Sequence, residues 1–149
     1  MDFIEFLKKK TGITPPLPDS YGDWLGYEID SFDAQTSEVC TKLEVRKDHL
    51  SPSGAVHGGV ISGFLDFTCG CAVLLAIDKN KSCSTVDLNV KYFYPLVEGD
   101  LVSAKAIVLH KGRSLSSVSA FLYKNGDYDK IMAMASGTFN IYSPKVFKT

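Results

Sequence analysis

The sequence has almost no net charge, with 16 Lys and Arg set against 17 Asp and Glu across 149 residues. Without a basic field to gather phosphate backbones, and without an acidic tail, it offers no electrostatic basis for nucleic acid as a partner. Cysteine is scarce as well. Cys40 and Cys83 stand alone. Cys69 and Cys71 are two apart, which places them about 200° apart on a helix and too close to bridge on a strand. This excludes a disulfide framework and points to reduced thiols in a cytoplasmic protein. Only three histidines are present, His49, His57 and His110, none beside cysteine at zinc-like spacing, so no metal is expected. The amino terminus lacks the apolar core of a secretory signal, because its lysines follow its apolar residues. Residues 1–20 read instead as a short amphipathic helix and a proline-rich lead-in, broken by Gly12, Pro15, Pro16 and Pro18.

What is abundant is apolar residues, 45% of the chain, enough for a single domain over 1–149 with its core in 24–142. Val60 to Ile77 carries a single charge over about the length of a membrane span. The glycines, the cysteines and a carboxylate at its centre argue against a membrane and for a buried central helix. Beyond it the period changes to two. Residues 84–94 alternate, with Val86, Leu88, Val90, Tyr92 and Tyr94 on one side and Thr85, Asp87, Asn89 and Lys91 on the other. Strands also follow at 101–110, 114–123 and 130–142, the last two joined through an Asn125-Gly126 hairpin signal. Leu25–Phe32 and Ser37–Val45 supply two more before the helix. Short connections imply antiparallel pairing, and one buried helix beside such a sheet implies a sheet wrapped around it.

The chemistry concentrates on that helix. Gly59, Gly63, Asp66 and Gly70 fall within about 60° of one another on helical spacing, so the helix's only acid lies on a stripe otherwise free of side chains. Such a stripe leaves space for a ligand, or lets the helix approach a neighbour closely. A buried carboxylate is costly unless well paired, which favours a functional role for Asp66.

The run His57-Gly58-Gly59, Asp66 nine residues after the histidine, Thr85-Val86-Asp87-Leu88-Asn89 and Tyr92 to Pro95 resembles the hotdog-fold thioesterases of the PaaI type, from about Trp24 to Tyr142. The resemblance implies an α+β hotdog fold, with an antiparallel sheet of about six strands wrapped around one long central helix. It implies a homodimer, paired further into a tetramer, that hydrolyses acyl-coenzyme A thioesters, with coenzyme A entering as part of the substrate and no separate cofactor. In that frame Asp66 is nucleophile or general base and the Gly58 N–H is the oxyanion donor. Thr85 orients water or the acid, and His57 has a positioning role. From the residues alone, Thr85 is equally a strand residue chosen for β-branching and His57 a helix cap. Many relatives have asparagine where this chain has Ser51, a shorter donor; this motivates the alternative of a non-catalytic acyl-coenzyme A binder.

Gly59 and the turn Lys111-Gly112-Arg113-Ser114 match the substrate and nucleotide-binding positions, two cations and a glycine amide being suited to phosphate; an ordinary solvated hairpin is the other reading. Lys79, Lys81 and Lys91 are further cations. Phe64, Phe67, Leu74, Tyr92 and Phe93 are candidates for an acyl pocket or for the core. Nine residues of helix separate His57 from Asp66 by about 13.5 Å and half a rotation. A carbonyl at Gly58 therefore cannot meet Asp66 of the same chain, and the site needs two chains.

Overall fold

In the computed structural model, which describes residues 21–144 and Glu5, the alternating segments form six strands paired antiparallel throughout. They are β1 (Glu28–Asp33), β2 (Glu38–Glu44), β3 (Ser82–Tyr92), β4 (Leu101–Lys111), β5 (Leu115–Lys124) and β6 (Ala133–Tyr142), in spatial order β1-β2-β4-β5-β6-β3. A five-residue helix, α1 (Tyr21–Leu25), precedes β1, and the long helix α2 (Gly58–Ala76) links β2 to β3 across the sheet. The expected amino-terminal helix and lead-in lie outside the described residues, apart from Glu5. The Asn125-Gly126 turn forms as expected, with φ of 51° and 77°. The last strand starts at Ala133 rather than at 130.

Helix α2 is held by burial rather than by propensity. It carries Gly59, Gly63 and Gly70, each costing about 1 kcal/mol relative to alanine in a helix. Phe64, Leu65, Cys69, Ala72 and Val73 are buried against the sheet. The sheet receives it on a floor of small residues, Ala104, Ala106, Ala120, Ala133 and Ala135, all buried, so the backbone of the helix can sit close. Among the described residues α2 alone is long and apolar enough to cross a membrane, and here it packs on β2 to β6. One polar pair lies within this core: Thr68 Oγ1 donates to Phe64 O and lies 2.7 Å from Thr41 Oγ1 on β2.

Two bulges aim the side chains that matter. Strict alternation puts Thr85 on the face opposite Leu88 and Val90, but the register of β3 against β6 slips between Thr85 and Asp87. The extra residue, Val86, is left 60% exposed, and Thr85 joins Leu88 and Val90 on the helix side. A second slip between Val108 and His110 in β4 turns Lys111 inward to the end of α2. There its ammonium donates to Ala76 O, a cation on the negative end of the helix dipole.

Thr68→Val leaves the Thr41 hydroxyl buried without a partner and is expected to cost about 1–3 kcal/mol. Adding Thr41→Val removes the orphan and recovers part of that loss. Urea midpoints at fixed protein concentration measure both, and equal stability of Thr68→Val and the native protein contradicts the assignment.

Candidate functional site

The amino terminus of α2 is prepared by the loop before it. His57 is the N-cap, with extended backbone (φ −63°, ψ 135°) and its Nδ1 accepting from Gly59 N at 2.9 Å. Its own N–H bonds His49 O, while its carbonyl accepts from Val60 N and Ile61 N. Among the described residues the Gly58 N–H has no acceptor. One donor at the positive end of the helix is therefore left free among these residues, with the Tyr92 ring 3.5 Å from where a Cβ on Gly58 would fall. The Tyr92 hydroxyl donates to Gly58 O at 3.2 Å.

Ser51 lies in the same cleft as His57 and Gly59, a space of about 380 Å³. Its hydroxyl faces back into its own loop, 3.0 Å from Ala55 O and 2.8 Å from Ser53 Oγ. A serine has one proton to donate, and Ala55 takes it. Behind the loop His49 is fully buried, edge-on to Trp24, with Nδ1 accepting from Arg46 N. The Arg46 guanidinium bonds the carbonyls of Trp24 and Leu25, which ties α1 to this loop.

Asp66 lies in a second cleft, of about 590 Å³, whose lining shares no residue with the first. Thr85 Oγ1 donates to Asp66 Oδ1 at 2.8 Å, which holds the carboxylate at the cleft that both residues line. Phe67, Leu74 and Phe139 supply apolar walls, and Lys79 and Lys81 line it as well. The Phe67 ring is stacked on Tyr27. Of the other acyl-pocket candidates, Phe64 is core, and Tyr92 and Phe93 lie outside this cleft. Burial pushes the Cys83 thiol up to about 11 and the Cys69 thiol up to about 12, so neither supplies a thiolate nucleophile near Asp66.

Two expectations are corrected. The glycine stripe is not vacant along its length: the Tyr21 hydroxyl stands where a Cβ on Gly63 would fall, and the His57 ring flanks Gly59. The Gly112 amide is not free for phosphate, since it donates to Leu115 O at 2.8 Å across the turn. Lys111, Gly112 and Arg113 do line a third cleft, of about 300 Å³, together with Asp78 and Lys81. Ser114 contributes its carbonyl to Ile141 N and does not line that cleft. Tyr21 and Lys81 are the residues that sequence reasoning passed over or ranked low. Gly63 was the signal for the first, being a glycine that a covering side chain requires.

Residues 53–131 match the sequence profile of the thioesterase superfamily. Human acyl-coenzyme A thioesterase 13 is 26% identical over 95 residues, 64% of this chain and 67% of that protein. A Caenorhabditis elegans protein named as an esterase is 29% identical over 91 residues, 61% of this chain but only 53% of its own length, so the match spans about half of that relative. A phenylacetic acid degradation-related protein from Ralstonia eutropha JMP134 superposes with a TM-score of 0.79 at 26% identity, covering 94% of this chain and 99% of that one.

Burial, and then the Arg46 charge, hold the His49 imidazole below its ordinary value of 6.5. Its contribution to stability is full above pH 6.5 and lost as the pH falls toward the folded value, because the unfolded chain takes a proton that the folded one refuses. The unfolding free energy is expected to fall with a slope of up to about 1.4 kcal/mol per pH unit from this group. Urea titrations across this range should show a shallower fall in His49→Gln, and parallel curves for the two proteins count against the assignment.

Proposed function

The chain belongs to the thioesterase superfamily, a family of thioester hydrolases, and from that membership we propose that it hydrolyses acyl-coenzyme A thioesters at a site shared between two copies of the chain. The observation that carries this reading is the pairing of one unused amide, Gly58 N–H, with a carboxylate held by Thr85 in a separate cleft. Thioester hydrolysis needs both: a carboxylate to attack the acyl carbon or deprotonate water, and a donor for the negative charge on the carbonyl oxygen. Water adds across the acyl–sulfur bond, giving a carboxylic acid and the coenzyme A thiol. Eight helical residues, about 12 Å, separate the two groups within one chain, so Gly58 of one copy serves Asp66 of the other.

The sheet supports that assembly. Strand β3 is an edge of the sheet, eleven residues long, and one side of its backbone is unpaired among the described residues. Such an edge invites antiparallel pairing with its own copy, which gives two equivalent sites per dimer. Coenzyme A as the carrier is supported by the name of the human relative and by the course of the clefts. Lys81 lines both the Asp66 cleft and the cleft at Lys111 and Arg113. A pantetheine arm running from Asp66 along α2 to Ile77 covers about 16 Å and brings its phosphates to these cations. His57 then acts by capping α2 and presenting Gly58, and Gly59 N–H is used within that cap.

A second reading, acyl-coenzyme A binding without turnover, is favoured by one observation: the Ser51 hydroxyl donates to Ala55 O and is not offered to a substrate carbonyl.

Release of free thiol from a panel of acyl-coenzyme A esters separates the two. Asp66→Ala is expected to abolish turnover and Thr85→Val to lower kcat about tenfold. Gly58→Pro removes the amide at a first helical position where proline fits, after a His57 already in extended backbone. It is expected to lower kcat by about 10²–10³ with the fold retained. Full turnover by Asp66→Ala overturns the catalytic reading, and tight binding with no turnover of any ester by the native protein supports the second.

A further inference from the structure

We propose that Tyr21 is a specificity-determining residue of this site, the wall that closes the Asp66 cleft at its Gly63 end and so limits the length of acyl group it accepts. The inference rests on the thioesterase reading and deepens it. Along the α2 stripe the three glycines are treated differently. At Gly70 a side chain would meet only the Phe139 ring, at 3.6 Å, and this glycine lines the open cleft. At Gly63, one turn before Asp66, the Tyr21 hydroxyl takes the position of a Cβ, with ring carbons about 3 Å from it. The cleft lining includes Asp66 and Gly70 and stops short of Gly63. Tyr21, itself 57% exposed, lines with Gly59 the separate cleft that contains His57. The phenol is thus the partition between the two spaces, with Asp66 next to it.

The partition is anchored. Leu25 at the end of α1 is fully buried, Trp24 packs on Tyr21 and edge-on to His49, and Arg46 bonds the carbonyls of both Trp24 and Leu25. The Tyr21 hydroxyl lies 3.4 Å from Gly59 O, which holds the ring along the helix. Burial and the Asp66 charge raise the phenol above its ordinary value, so it stays neutral and puts no second negative charge beside the carboxylate. A chain extending from a thioester at Asp66 toward Gly63 meets this ring.

The test is a chain-length series of straight acyl-coenzyme A esters, read as kcat/KM and, on an Asp66→Asn background, as binding by calorimetry. Tyr21→Ala is expected to extend the accepted length, each methylene beyond the native limit gaining about fourfold in kcat/KM, mainly through KM. Tyr21→Phe keeps the native length profile, because the ring and not the hydroxyl is the wall. Gly63→Ala displaces the ring and shifts the profile in the same direction as Tyr21→Ala, which covers the case where Tyr21→Ala fails to fold. A uniform loss across all lengths in the Tyr21→Ala and Gly63→Ala proteins, or an unchanged profile, overturns the proposal while leaving the thioesterase reading intact. If the native protein turns over no ester but its calorimetric length profile shifts with Tyr21→Ala, the wall stands and hydrolysis fails. If it neither turns over nor binds any ester, both fall.

Discussion

Everything in this molecule depends on how closely one helix lies on its sheet. The floor of buried alanines on β4, β5 and β6 lets α2 approach, and that approach brings Asp66 within hydrogen-bond reach of Thr85 and Tyr92 within reach of Gly58. The same packing supports a helix that its own glycines would otherwise weaken. The helix is rigid, so it also sets the distance between its free amide and its carboxylate. That distance turns a structural element into an argument for a two-chain site.

The ends of the helix are finished in opposite ways, and the difference is chemical. At the carboxyl end Lys111 neutralises an orphan carbonyl. At the amino end His57 accepts from the amides of Gly59, Val60 and Ile61, and among the described residues that of Gly58 has no acceptor. A histidine next to the proposed site invites a reading as general base, yet its Nδ1 is occupied as an acceptor. Its place in the fold is the N-cap of α2.

Much of this was legible in the sequence because it is local. The period-two runs, the apolar helix and the turn at Asn125-Gly126 are carried by residues near one another, and strands, helix and turn form there, although β1 begins at Glu28 rather than Leu25, which ends α1, and β6 at Ala133 rather than 130. Three features were not. The bulge at Val86 leaves no mark in the pattern, since Thr85 and Val86 read as an ordinary polar and apolar pair; only the register against β6 turns Thr85 toward Asp66. Tyr21 covers Gly63 from 42 positions away, a contact that no window along the chain contains. The Gly112 amide reads as a phosphate donor until the turn closes on Leu115 O. In the first two cases a tertiary contact decided what a local pattern left open, and in the third it was the closure of a turn that residue types alone do not reveal.

The central claim is that Gly58 of one copy and Asp66 of another make one site, and subunit mixing tests it most directly. Asp66→Ala and Gly58→Pro proteins, the first inactive and the second slowed about 10²–10³-fold alone, are unfolded together in equal amounts and refolded. If the site is shared, half of the dimers are mixed and each has one intact site, so activity returns to about a quarter of the native level. If both groups act within one chain, no combination restores an intact site, and activity remains at the level of the separate variants.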